Sequence, residues 1–216
     1  MDSGAAWSGS FHVLGHSFGG AVALTAALAR PDRVKSLTLY EPTVFSLMRH
    51  ESARERNLFE TILRVQADMR SFIDVGSNER AMSRFVDFWS GAGTWDRKPA
   101  SQRDRVCPLA AKVVEDFRML FQAGWRAQEF DRLRMPVLIL RGDQSPPAAT
   151  SAAELLAELI PAARLFTIPN LGHMAPVTHP ELIASAVRAH FGASIRPPDC
   201  QSRRRGIGLM CNMAEL

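Results

Sequence analysis

The sequence predicts an α/β fold, in which a mostly parallel sheet carries helices on both faces. An apolar stretch at residues 11–14 leads through a glycine-rich turn into a helix-forming run at 21–30, and a second strand-like stretch follows at 34–40. A strand, a helix and a strand in this order imply a right-handed parallel crossover. Residues 48–134 then show apolar side chains at helical spacing, and strand-like runs resume at 137–140. These observations predict a sheet with an inserted helical block.

Composition is that of a globular chain. The chain is 46% hydrophobic and 22% charged, and its 216 residues suit either one domain of ordinary size or one domain with an inserted subdomain. The net charge of +4 is modest, and the basic cluster Arg203-Arg204-Arg205 lies near the C-terminus without interleaved aromatic residues. We therefore expect no nucleic-acid partner.

The number of cysteines and the first ten residues indicate in which cellular compartment the protein is expected. Cys107, Cys200 and Cys211 are odd in number and unpatterned, which indicates neither a disulfide framework nor a metal site. Residues 1–10 lack the layout of a signal peptide, and no apolar run approaches the length of a membrane span. We expect a cytoplasmic protein without a membrane partner; its oligomeric state stays open.

The motif at residues 15–20 predicts a nucleophile elbow centred on Ser17. It reads GHSFGG, and it stands between the first strand and the first helix. In such a turn the serine is held in a strained conformation and its hydroxyl projects above the sheet edge. The backbone N–H of Phe18 lies at the start of the helix, where it can donate to a developing oxyanion. The alternative is a glycine-rich turn with an incidental serine, which the flanking strand and helix disfavour.

The remaining elements follow in order. After the turn at residues 31–33, the strand at 34–40 ends at Glu41-Pro42, at the sheet edge where such folds place functional groups. Three apolar stripes then predict helices. They are Leu58, Ile62, Val65 and Met69; Met82, Phe85, Val86 and Trp89; and Val113, Val114, Phe117, Leu120 and Phe121. Each aromatic side chain is most simply explained as part of the packed core, although together these side chains could roof an apolar pocket.

The second half of the sheet is predicted from residue 135 onward. The strand at 137–140 ends at Arg141-Gly142-Asp143. The apolar side of the next helix contains Leu155, Leu156, Leu159 and Ile160, and Pro161 ends it. A strand at 164–168 and a helix at about 180–190 complete the pattern.

His173 is the histidine placed to activate Ser17. A serine hydroxyl is a weak nucleophile at neutral pH, so it needs a histidine to take its proton and an acid to orient that histidine. Of the six histidines, His173 lies in the loop directly after a strand, late in the chain. The order serine, acid, histidine is the one expected for this arrangement.

These motifs together resemble the α/β-hydrolase superfamily over about residues 8–193. The matching segments are the elbow at 15–20, Leu140-Arg141-Gly142-Asp143, and Gly172-His173-Met174 followed by His179-Pro180-Glu181. The resemblance implies a serine hydrolase with Ser17 as nucleophile, His173 as general base and acid, and the Phe18 N–H in the oxyanion hole. It implies no cofactor and no metal. It also predicts core segments at 1–47 and 135–193, a helical cap at 48–134 and a disordered tail at 194–216.

Two carboxylates are candidates for the acid. In most family members the acid follows the strand that here ends at Leu140, at a position that holds Ser145 in this sequence. Asp143 lies two residues earlier. In other branches the acid follows the strand after the elbow helix, where this chain has Glu41. Glu41 is the favoured candidate, because Asp143 is also an ordinary turn residue.

The family's N-terminal strands are expected to be missing. Members of the family have several strands before the elbow and a second oxyanion donor after one of them, whereas here the elbow serine is residue 17. We therefore expect the C-terminal part of such a protein, with weak or no activity alone. The expected reaction is hydrolysis of a small apolar carboxylic ester or a related acyl compound through an acyl-enzyme on Ser17. The alternative is a truncated, non-catalytic protein that binds a ligand or partner.

Overall fold

A four-stranded, fully parallel sheet forms the centre of the structure. The structure is a computed structural model and describes the backbone of residues 9–191. Its strands are β1 (Phe11–His16), β2 (Val34–Tyr40), β3 (Val137–Gly142) and β4 (Ala163–Ile168), and they lie side by side in chain order. The register places Leu14 beside Thr38 and Leu39 beside Ile139. The predicted tail at 194–216 lies outside the described residues.

Helices occupy most of the remaining described chain. They are α1 (Ser17–Ala29), α2 (Ala53–Asp74), α3 (Asn78–Ser90), α4 (Thr94–Arg97), α5 (Ala100–Val106), α6 (Ala110–Gln122), α7 (Pro147–Leu159), α8 (Ala175–Thr178) and α9 (Pro180–Phe191). Short 3₁₀ helices lie at Pro31–Arg33, Phe45–His50, Cys107–Leu109 and Ala127–Arg132. None of the helices in the described part of the chain is long and apolar enough to cross a membrane.

Alternating side chains of the two central strands enter two hydrophobic clusters, as the period of two along a strand requires. Leu37, Leu39, Val137 and Ile139 join the larger cluster, which also contains buried residues of α1, α2, α3, α6 and α7. Tyr40, Leu138 and Leu140 join the smaller cluster with Ala175 and Ile183 of α8 and α9. The sheet therefore carries helices on both faces, and the predicted fold class is confirmed.

The chain between β2 and β3 is helical, as its stripes predict. Ile62, Val65 and Met69 of α2 are fully buried, and Trp89 of α3 is 5% exposed. Phe59 is also buried, although the predicted stripe did not include it. The boundaries of this insertion at residues 48 and 134 stay a prediction. The block places aromatic side chains of α3 beside the end of β1, where the elbow lies.

Candidate active site

The elbow at Ser17 joins β1 to α1 without an intervening loop. Ser17 has a φ of 54° and is the first residue of α1, so the helix also includes the glycine-rich turn before the helix-forming run that begins at residue 21. This left-handed conformation is rare for a residue with a side chain and costs energy. A Cβ on Gly15 would lie 2.4 Å from the carbonyl oxygen of Gly19, so the sharp turn requires glycine there. The tight packing of strand against helix holds the serine in this conformation at the end of the strand.

Hydrogen bonds connect Ser17, His173 and Glu41 in one line. The Ser17 Oγ lies 3.0 Å from Nε2 of His173, and Nδ1 of the same ring lies 2.7 Å from Oε2 of Glu41. With the serine hydroxyl donating to Nε2, Nδ1 carries the ring proton and donates it to the carboxylate. All three side chains are buried: their exposures are 7%, 3% and 1%. This is the arrangement that activates a serine hydroxyl.

Glu41 is held by three hydrogen bonds. Besides the bond from His173, its Oε1 accepts the backbone N–H of Gly142 at 2.7 Å and the hydroxyl of Ser145 at 2.5 Å. Its φ of 43° is also left-handed. Donors of this kind stabilise the ionised carboxylate despite its burial. Ser145, at the usual family position of the acid, therefore supports a carboxylate that comes from the neighbouring strand.

Asp143 lies outside this hydrogen-bonded line. It is exposed, and its Oδ1 accepts the backbone N–H of Asn170 at 2.7 Å and the side-chain amide of Gln144 at 3.2 Å. Asn170 has a φ of 59°, so the aspartate stabilises a turn that contains a left-handed residue. Of the two predicted acids, the structure brings Glu41 to His173 and places Asp143 in the turn.

The loop that carries His173 is fixed from the ends of β1 and β2. The hydroxyl of Tyr40 donates to the carbonyl of Gly172 at 2.8 Å, and Nε2 of His16 donates to the carbonyl of His173 at 2.8 Å. Burial raises the pKa of the Tyr40 phenol, so it stays a donor. Burial, followed by the nearby His173, lowers the pKa of His16 to about 3. Of these two adjacent imidazoles, His16 therefore stays neutral.

Phe18 is placed as the sequence predicts, at the second position of α1. N–H groups in the first turn of a helix have no partner within the helix, so this one is free of intrahelical bonding. The positive end of the helix dipole adds to its power as a donor. It can therefore donate a hydrogen bond to a negative charge that develops on an oxygen beside Ser17.

A cavity of about 1000 Å³ leads to Ser17 and His173. Apolar side chains of α3, namely Phe85, Val86, Phe88 and Trp89, form part of its wall. A smaller cavity of about 30 Å³ adjoins Ser17 and Phe18. Among residues 9–191, no group of three or more His, Cys, Asp or Glu side chains could hold a metal ion.

Sequence reasoning missed several neighbours of the site. The family resemblance indicates Ser145 only as the usual position of an acid, and nothing in the sequence indicates its bond to Glu41. Trp89 was predicted as a helical core residue, yet its ring stacks on that of His173. The contacts of Tyr40 and His16 with the histidine loop also join residues more than 130 positions apart, which no local pattern encodes.

Comparisons with curated proteins give relatives at 25–30% identity. The chain is 29% identical over 194 residues to the polyketide synthase ThaQ of Burkholderia thailandensis, covering 87% of this chain and 9% of that protein. It is 26% identical to rhodomycin D methylesterase DauP of Streptomyces sp. strain C5, covering 85% and 67% respectively. It is 30% identical to the pimeloyl-[acyl-carrier protein] methyl ester esterase of Aromatoleum aromaticum, covering 82% and 73%. The chain thus spans only part of each relative.

Family and structure comparisons agree with these relatives. A solved hydrolase from Pseudomonas aeruginosa PA01 superposes with a TM-score of 0.57 at 26% identity, covering 85% of this chain and 65% of that one. The model of the alpha/beta hydrolase fold family matches residues 8–180. The resemblance predicted from the elbow and the later strand ends is confirmed. Since the match extends over most of its length, the chain belongs to the alpha/beta hydrolase fold family.

Proposed function

We propose that this protein hydrolyses a carboxylic ester through an acyl-enzyme on Ser17. The observation that carries the proposal is the buried line of hydrogen bonds from Ser17 through His173 to Glu41. Relatives named as methylesterases and as a methyl ester esterase support an ester as the substrate. The apolar wall of the cavity supports a substrate with an apolar portion.

In the first step, Ser17 Oγ attacks the ester carbonyl carbon. Its proton passes to Nε2 of His173, and the negative Glu41 carboxylate stabilises the resulting imidazolium through Nδ1–H. The carbonyl oxygen becomes an oxyanion that accepts the N–H of Phe18. Nε2–H then returns its proton to the leaving alkoxide, which departs as the alcohol.

In the second step, water hydrolyses the acyl group on Ser17. The neutral His173 takes a proton from the water, whose oxygen attacks the acyl carbonyl. Collapse of the second tetrahedral intermediate breaks the bond to Ser17 Oγ, and His173 returns the proton to that oxygen. The carboxylic acid leaves and the resting arrangement is restored, so no cofactor enters the cycle.

A fluorophosphonate probe together with ester turnover tests this proposal. We expect covalent labelling of Ser17, shown by mass spectrometry, and hydrolysis of short 4-nitrophenyl esters; Ser17→Ala should lose both. Ser46→Ala is a control, because Ser46 lies outside the hydrogen-bonded line. A folded protein that is neither labelled nor active would contradict the proposal and favour the alternative, a non-catalytic protein that binds a ligand or partner.

A further inference from the structure

Trp89, near the end of α3, covers a face of the His173 imidazole. The two ring centroids are 4.2 Å apart and the planes meet at 27°, which is a stacked arrangement. Trp89 is 5% exposed. The ring edges of His173 are already committed, Nδ1 to Glu41 and Nε2 to Ser17. The indole therefore acts on the ring face, which hydrogen bonds do not reach.

Neighbouring aromatic rings hold Trp89 in place. Phe45 stacks on it at 6.1 Å, and the rings of Phe88 and Phe85 meet it edge-on at 4.9 Å and 6.3 Å. Phe45 follows β2, whereas Phe85 and Phe88 belong to α3. An indole packed in this way has little freedom to leave the imidazole, so it also restrains the plane of that ring.

The face of an indole carries negative electrostatic potential. It attracts a cation placed over it, and the attraction grows when both groups are withdrawn from water. In the proposed reaction His173 alternates between a neutral imidazole and an imidazolium cation. Trp89 stabilises the cation more than the neutral form, and the cation is the form present when the tetrahedral intermediates develop.

The effect of Trp89 on the charge of His173 adds to that of the other titratable groups around this ring. Glu41 supplies a negative charge at Nδ1, while His16, whose ring centroid lies 4.8 Å from that of His173, stays uncharged. Tyr40 binds the loop as a neutral phenol. On α3, the Asp87 carboxylate accepts the backbone N–H groups of Gly93 and Trp95. At the end of β3, Asp143 accepts the N–H of Asn170.

We propose that Trp89 is a positioning residue that holds the His173 ring and favours its protonated form during the reaction. This inference rests on the proposed function only in that His173 is the base. It assigns a role in the chemistry to the helical block between β2 and β3, whose aromatic residues the sequence predicts individually as core and together as a possible roof of an apolar pocket. The same block would therefore influence the rate as well as line the cavity.

The test compares Trp89→Leu and Trp89→Phe with the wild type. Leucine keeps an apolar cover but removes the aromatic face, and phenylalanine keeps a weaker face. We expect kcat to fall about five- to thirtyfold in Trp89→Leu and less in Trp89→Phe. The acid-side midpoint of the pH profile of kcat/KM should move to lower pH by about half to one and a half units in Trp89→Leu, because the cation has lost support.

Trp95→Leu is the matched control. Trp95 is 3% exposed in the same helical block, and it does not line the cavity that leads to Ser17. Its loss should lower the melting temperature much as Trp89→Leu does, while leaving the pH midpoint unchanged. A change in midpoint confined to the Trp89 variants therefore separates positioning of His173 from general destabilisation.

A second readout does not need catalysis. In Ser17→Ala, the Cε1–H resonance of His173 can be titrated by NMR with and without Trp89→Leu or Trp89→Phe. We expect an upfield ring-current displacement that disappears with leucine, together with a lower titration midpoint. Unchanged midpoints of Trp89→Leu in both assays would overturn the inference. If the leucine variant does not fold, unchanged midpoints of Trp89→Phe would overturn it instead. If the ester is not hydrolysed at all, the proposed function fails, yet the NMR titration still decides the role of Trp89.

Discussion

The ends of β2 and β3 carry one carboxylate each, and the two have opposite environments. Glu41 after β2 is 1% exposed and accepts hydrogen bonds from His173, Gly142 and Ser145. Asp143 after β3 is exposed and stabilises the turn at Asn170. Both lie at the same edge of the sheet, so proximity alone does not select an acid. The two differ in that Gly142 and Ser145 donate to Oε1 of Glu41 and leave its Oε2 for the histidine.

Replacing each of the two carboxylates by its amide is expected to give the largest difference in kcat between the two strand ends. Glu41→Gln keeps the shape but removes the negative charge that stabilises the imidazolium, so we expect kcat to fall by about 10³- to 10⁴-fold. Asp143→Asn retains an oxygen that accepts from Asn170 and should change kcat less than about threefold. Steady-state ester hydrolysis measures both. Equal losses in the two variants would refute the assignment of Glu41 as the acid.

Substitution of Ser145 tests whether the turn after β3 contributes to the reaction by donating a hydrogen bond to Glu41. Ser145→Ala removes the 2.5 Å hydrogen bond to Oε1 of Glu41 and leaves the bond from Gly142. A hydrogen bond to a charged group contributes about 1.5–3 kcal/mol, so we expect kcat to fall about 10- to 100-fold with KM nearly unchanged. Ser145→Thr should restore most of the rate because it keeps the hydroxyl. A full wild-type rate in the alanine variant would show that the backbone N–H is sufficient.

His16 lies at the end of β1, and its burial in the fold lowers its pKa from 6.5 to about 3. Between these values the unfolded chain binds a proton that the folded chain does not, so stability falls as pH is lowered. Between pH 6.5 and 5, we expect a loss of about 1.5 kcal/mol in the free energy of unfolding. His16→Gln should lose less over the same interval. Urea unfolding at several pH values gives this difference, and parallel curves would contradict it.

The smallest effect is expected at Asp143 itself. Asp143→Ala removes the acceptor for the Asn170 N–H, which should lower the free energy of unfolding by about 1 kcal/mol. The kcat should stay within about threefold of wild type, since Asp143 does not contact His173 in the structure. Thermal unfolding and ester assays on the same preparation separate the two quantities. A loss of activity without a loss of stability would assign Asp143 a role in the chemistry.

Local signals account for what sequence reasoning predicted well. The bounds of β2 match the prediction, because its branched and aliphatic run is bounded by a turn and a proline. The stripe that includes Ile62, Val65 and Met69 is buried as its period predicts. The elbow motif predicts the start of α1 near Phe18, although the first turn of this helix contains two glycines and a strained serine, which have poor helix propensity.

The local signal that favours Glu41 over Asp143 is weak, since it depends only on Asp143 being an ordinary turn residue. Both are acids directly after strands; Glu41 occupies a position that some branches of the family use, and Asp143 lies two residues before the position that most members use. The bonds from Gly142 and Ser145 join Glu41 to residues more than 100 positions later. Trp89 likewise meets His173 across the fold, although its sequence pattern is that of a core residue.

By itself, the sequence determined the parallel α/β arrangement, the elbow at Ser17 and the family to which the chain belongs. These depend on periodicity and on a motif whose glycines, strand and helix are adjacent in the chain. Only the tertiary structure decided which carboxylate reaches His173, which groups hold that carboxylate, and which ring covers the imidazole. Those contacts arise where strand ends and α3 converge, and a linear pattern does not encode distances between such segments.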